Sequence, residues 1–146
     1  MIIQLIGLPC SGKTYVLNKI KSKNKSILSL DLSNYKGSFR EKRLKKDVTI
    51  AQNTNKFIII ESACGLENLN SIVILLRVSK HQLISNQQKR KETNSNYYKS
   101  QLIDQMLPPN YTAYDIKSCE TLIETILKME SLHVSNTKFN SYSRNH

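Results

Sequence analysis

Eight consecutive residues carry the strongest chemical signal in this chain. Gly7-Leu8-Pro9-Cys10-Ser11-Gly12-Lys13-Thr14 matches the spacing G-x-x-x-x-G-K-[ST] at every fixed position. Gly7 and Gly12 permit the turns that aim successive backbone N–H groups inward, so the eight residues together form an anion-binding loop. A helix starting at the end of that loop adds its positive dipole end. Lys13 has the length to reach the outer phosphates of a nucleoside triphosphate, and the Thr14 hydroxyl is the kind of group that ligates Mg²⁺ there. Cys10 is expected to contribute backbone rather than thiol chemistry.

Two carboxylates recur in comparable places. Asp31 closes the run Ile27-Leu28-Ser29-Leu30, and Glu61 closes Phe57-Ile58-Ile59-Ile60. Phosphoryl transfer needs a held divalent cation and a group that orients the attacking oxygen. Glu61 suits the first task, holding Mg²⁺ through water, or is simply an acid exposed at a strand end. Asp31 suits the second, accepting a proton from a substrate hydroxyl, or caps the turn near Asn34. Arg90, between Lys89 and Lys91, has the charge to stabilise a transferring phosphoryl group and equally suits a solvated helix. Arg40 and Arg43 have the charge to hold an anionic acceptor, with a solvated helical face as the plain alternative.

The elements that must position these groups follow from periodicity. Ile2–Ile6 reads as a buried parallel strand, and 14–23 as a helix burying Val16, Leu17 and Ile20. A second strand covers 26–31, turn chemistry covers 33–38, and a helix with a basic outer face runs from Phe39 to about Asn53. Strands follow at 57–61 and 71–78. A polar, basic segment from Lys80 to about Leu107, with a break at 93–96, ends at Pro108-Pro109. A fifth strand is expected at 111–116 and a last helix at 119–132. This alternation predicts an α/β domain over residues 1–132: three layers, with about five parallel strands and helices on both faces. Ligands then bind beyond the carboxyl ends of the strands, where the Gly7 loop, Asp31 and Glu61 all fall. Residues 133–146 are polar and aperiodic and are expected to be a disordered tail.

Composition bounds the partners. The 146 residues suit one compact domain, and their net charge is +11. Lysines cluster at 19–25, 42–46 and 89–91, a surface that suits either a polyanion or a set of solvated helix faces. Cys10, Cys64 and Cys119 are odd in number and lack metal-like spacing, which excludes a disulfide framework. With no eighteen-residue apolar run and no signal-peptide pattern, cytoplasmic residence without membrane association is the expectation. A regulatory GTPase is disfavoured, because Asn18-Lys19, Asn24-Lys25 and Asn55-Lys56 all lack the acid two residues after Lys that guanine selection uses.

The order of these features resembles the small P-loop kinases: the loop at 7–14, a strand ending in Asp31, the Ile58-Ile59-Ile60-Glu61-Ser62 strand, Leu75-Leu76-Arg77-Val78, and a basic lid. That group includes nucleoside and nucleotide kinases, adenylylsulfate kinases, gluconate-type kinases and polynucleotide 5′-kinases. The resemblance spans about residues 1–131 and implies the P-loop NTPase fold, ATP with Mg²⁺, and γ-phosphoryl transfer to a hydroxyl or phosphate. Asp31 and Glu61 match the group's acids after its second and third strands. Two departures stand out. The Asp-x-x-Arg pattern of many nucleotide kinases is interrupted by Asn34, the first arginine being Arg40, and the lid carries one clear arginine, Arg90. The leading expectation is an ATP- and Mg²⁺-dependent kinase acting on a nucleotide, a nucleoside or a nucleic-acid 5′ end, with an anionic small molecule or a nucleic acid as the expected acceptor partner. The alternative is a nucleotide-responsive nucleic-acid-binding or assembly subunit with little turnover. Acceptor identity and oligomeric state leave no signature in the chain.

Overall fold

The computed structural model describes residues 1–89 and 105–144, with side chains through Leu132. Its centre is β1 (Ile2–Ile6), every residue of which is buried. The other strands are β2 (Ile27–Asp31), β3 (Phe57–Ser62), β4 (Ile72–Leu76) and β5 (Tyr111–Ala113). They form one parallel sheet in the order β2-β3-β1-β4-β5. Helices α1 (Lys13–Lys23), α2 (Arg40–Ala51), α3 (Lys80–Lys89) and α4 (Ile116–Arg144) connect and follow the strands.

The apolar runs of β1 and β3, interrupted in β1 only by Gln4, are explained by cover on both faces. Ile3, Leu5 and Ile59 pack with Val16, Leu17 and Ile20 of α1 and Cys119, Ile123 and Leu127 of α4. Ile2, Ile58 and Ile60 point the other way and pack with Leu44 and Val48 of α2. This is the expected three-layer α/β arrangement with five strands.

Several boundaries differ from expectation. β5 is three residues long and ends at Ala113. Asp115 explains this: its carboxylate accepts from the Ser118 backbone N–H at 2.7 Å and from the Ser118 hydroxyl at 3.0 Å, which starts α4 at Ile116 instead of 119. At its other end α4 continues to Arg144, through the stretch expected to be a disordered tail. No glycine or proline occurs after Pro109, so nothing local stops the helix at 132. α3 is helical as expected but is more than a solvated face, since Leu83 and Gln87 are buried along one side. Arg90 and the break expected at 93–96 lie outside the described residues.

Candidate active site

The loop between β1 and α1 is held tightly against its surroundings. A Cβ at Gly7 would lie 2.7 Å from the Leu76 carbonyl oxygen of β4. Gly12 has φ +104, and a Cβ there would meet Ile116 of α4 at 2.9 Å. Both positions therefore exclude a side chain on steric grounds. Cys10 is buried with φ 67, and its carbonyl accepts the Asn86 amide at 2.8 Å. Helix α3 is thereby tied directly to the loop. Lys13 is 8% exposed, and its ammonium group donates to the carbonyls of Gly7 at 2.7 Å and Leu8 at 3.0 Å. Carbonyl oxygens of the loop thus hold its charge at the loop's centre.

The parallel register between β2 and β3 sets Asp31 opposite Glu61, with both acids at the carboxyl edge. Glu61 is 8% exposed and accepts the Thr14 hydroxyl at 2.6 Å. Glu61 is thus a buried partner of the loop threonine and not a free strand-end acid. One Asp31 oxygen accepts the Ser33 N–H at 2.9 Å and caps the 3₁₀ turn Leu32–Asn34, so the capping role is real. The same residue also lines a cleft of about 290 Å³ together with Lys13, Thr14, Arg40 and Glu61. The cap engages one oxygen of a carboxylate that also borders the cleft.

Of the two arginines, only Arg40 reaches this cleft. Arg43 donates to the Lys36 carbonyl instead. The turn that presents Arg40 is pinned by Tyr35, whose hydroxyl donates to Asp47 of α2 at 2.5 Å. Burial, and then that hydrogen bond, push the Tyr35 phenol up to about 12, so it stays a donor at neutral pH.

A larger cleft of about 940 Å³ opens on the other side of the loop, where Gly12, Tyr15, Asn86, Ile116 and Lys117 line it. The Cys64 and Cys119 thiols stay protonated at neutral pH. Burial raises Cys64 and pushes Cys119 up to about 12. Two residues escaped sequence reasoning. Gln4, fully buried in β1, donates to the Leu66 carbonyl at 3.0 Å and to Ser71 Oγ at 2.9 Å and accepts the Leu66 N–H at 2.7 Å. A lone polar residue inside an apolar strand was its signal. Asn86 had none, because its partner is a carbonyl 76 positions away.

No protein-family model and no curated protein sequence matches the chain. Solved structures do match its shape. A sugar kinase from Janibacter is 14% identical with a TM-score of 0.64, over 87% of this chain and 92% of that one. Shikimate kinase from Aquifex aeolicus is 15% identical with a TM-score of 0.57, over 90% of this chain and 99% of that one. A gluconokinase from Sinorhizobium meliloti is 11% identical with a TM-score of 0.59, over 91% and 95% respectively. The fold is therefore the P-loop NTPase fold that these small kinases share.

Proposed function

We propose that the protein is a kinase that transfers the γ-phosphoryl group of ATP, with Mg²⁺, to a nucleotide, a nucleoside or a nucleic-acid 5′ end. The observation that carries this reading is the 2.6 Å hydrogen bond between Thr14 and Glu61, in the cleft that Asp31 and Arg40 also line. A hydroxyl and a carboxylate are hard oxygen donors, and a two-donor set suits Mg²⁺, which keeps water and phosphate oxygens as its other ligands. The loop's backbone amides and Lys13 suit a phosphate chain, and glycine at 7 and 12 lets the loop pack closely on Leu76 and Ile116. The site thus fits both groups on its own chemistry. Thr14 and, through water, Glu61 would hold Mg²⁺, which supplies charge neutralisation at the β- and γ-phosphates.

The protein's own residues do the rest. Backbone N–H groups of the loop bind the phosphates, and Lys13 exchanges its carbonyl partners for phosphate oxygens. Asp31, oriented by Ser33, takes the proton of the attacking hydroxyl, and Arg40 holds an anionic part of the acceptor. Arg90 remains a candidate for the transferring group on charge alone.

ADP formation followed with and without added acceptors tests the reading. Lys13→Ala should lose several kcal/mol of transition-state stabilisation. Thr14→Ala should raise the Mg²⁺ requirement more than it weakens ATP binding. Asp31→Asn should lower turnover with ATP affinity nearly intact. If Asp31→Asn weakened ATP binding as much as Lys13→Ala does, the role given to Asp31 would be wrong.

A further inference from the structure

The helix that brings Arg40 to the acceptor cleft carries an unneutralised charge. Arg40, Lys42, Arg43, Lys45 and Lys46 of α2 stand against only Glu41 and Asp47, and Asp47 is engaged by Tyr35. None of these five cations makes an ion pair among the described residues. The contrast with α1 is clear, where Lys23 pairs with Glu120 and Glu124 at 2.7 and 3.0 Å. A helix face evolved only for solubility gains from acid–base pairs four residues apart, and Glu41 with Lys45 forms none.

Phe39 is the second observation and is independent of the charge. It is 78% exposed, with φ 60, in the left-handed region that a bulky residue rarely enters. Its ring buries little against the fold, so packing does not account for the strained backbone. It immediately precedes Arg40, which lines the acceptor cleft. An exposed aromatic ring beside a row of free cations is the pairing that binds single-stranded nucleic acid: bases stack on the ring while cations track the phosphates. A small acceptor explains Asp31 and Arg40 but neither Phe39 nor the charge along α2.

We infer that α2 and Phe39 form a docking surface for single-stranded nucleic acid whose 5′ end enters the Asp31 cleft. The inference rests on the kinase reading for the chemistry alone. In that step the terminal 5′ oxygen bonds to the γ-phosphorus of ATP, and the bond from that phosphorus to the β–γ bridging oxygen breaks. ADP leaves with the electron pair, and the hydroxyl proton passes to Asp31. Lys42 and Lys46, one helical turn apart, hold the following phosphates.

The test uses the full chain and a short 5′-hydroxyl, single-stranded oligonucleotide labelled at its 3′ end, with affinity read by fluorescence anisotropy at rising NaCl. Affinity should fall with salt. Reversing two charges (Lys42→Glu with Lys46→Glu) should flatten the log–log slope by about 1.4, from two contacts at about 0.7 each. Phe39→Ala should weaken binding about tenfold with the slope unchanged, as the loss of one base stack predicts. Phe39→Gly should lose the same affinity while its thermal midpoint holds or rises, which separates stacking from folding. Indifference of binding to both the charge reversal and Phe39→Ala overturns the inference. Phosphorylation of a nucleoside or sugar without oligonucleotide binding also overturns it and leaves the kinase reading intact. Binding with these dependences but no transfer to the 5′ end upholds the surface and counts against the kinase reading.

Discussion

Asp31 both caps a turn and lines the cleft where the acceptor is proposed to bind. Its cap on Ser33 uses one carboxylate oxygen, and the residue borders the same cleft as Lys13, Thr14 and Glu61. Sequence alone left capping and catalysis as alternatives, because a cap is local while the cleft depends on β3 and α2. Gln4 illustrates the reverse situation, a polar residue with a purely structural task. Its carboxamide satisfies both the N–H and the carbonyl of Leu66, in the loop that leaves β3 just after Glu61. Gln4→Leu keeps the volume but leaves both groups buried and unpaired, at about 1–3 kcal/mol each. Urea unfolding should therefore show a loss of about 3 kcal/mol. A loss under about 0.5 kcal/mol, the size of an ordinary surface change, would mean that water replaces the amide.

Elements were legible where one period or one cap decided them. β1 and β3 read correctly because strands covered on both faces need mostly apolar runs, Gln4 being the one exception in β1. The start of α4 and the end of β5 were missed because Asp115 decides both, and a strand-period reading carries through it. Asn86 of α3 and its bond to Cys10 were out of reach, since helix α3 meets the phosphate loop only in the folded chain. The packing of α1 on α4 offers a test at this scale. Hydrogen bonds from Lys23, then burial opposing them, leave Glu120 below the usual carboxylate range. Hydrogen bonds to Glu120 and Glu124 raise Lys23. A depressed carboxylate contributes stability above its unfolded value and loses it as pH falls through the folded one. Thermal midpoints should thus decline at acid pH, below the ordinary carboxylate range, and Glu120→Gln should flatten that limb. The raised Lys23 loses its share only in strong alkali. Both groups lie at the surface, so added salt should shrink the effect. An acid limb unchanged by Glu120→Gln would remove the cluster from the account.

At the scale of the whole molecule, sequence conveyed the architecture and which residues meet at one edge of the sheet. The loop at 7–14, Asp31 and Glu61 come together at one edge of a five-stranded parallel sheet, as strand-end acids in such folds must. What the sequence could not convey was how the charge of +11 is distributed, because pairing depends on which helices touch. Charge on α1 is partly neutralised by α4, while charge on α2 faces outward. Among the described residues no helix is long and apolar enough to cross a membrane. The central claim is that these parts make one phosphotransfer site. Its most direct test is transfer of labelled γ-phosphate from ATP to a panel of nucleosides, nucleoside monophosphates, sugar acids and 5′-hydroxyl oligonucleotides, with Lys13→Ala as control. The account predicts label on at least one acceptor and its loss in Lys13→Ala. Label released only as free phosphate, or full transfer by Lys13→Ala, would contradict it.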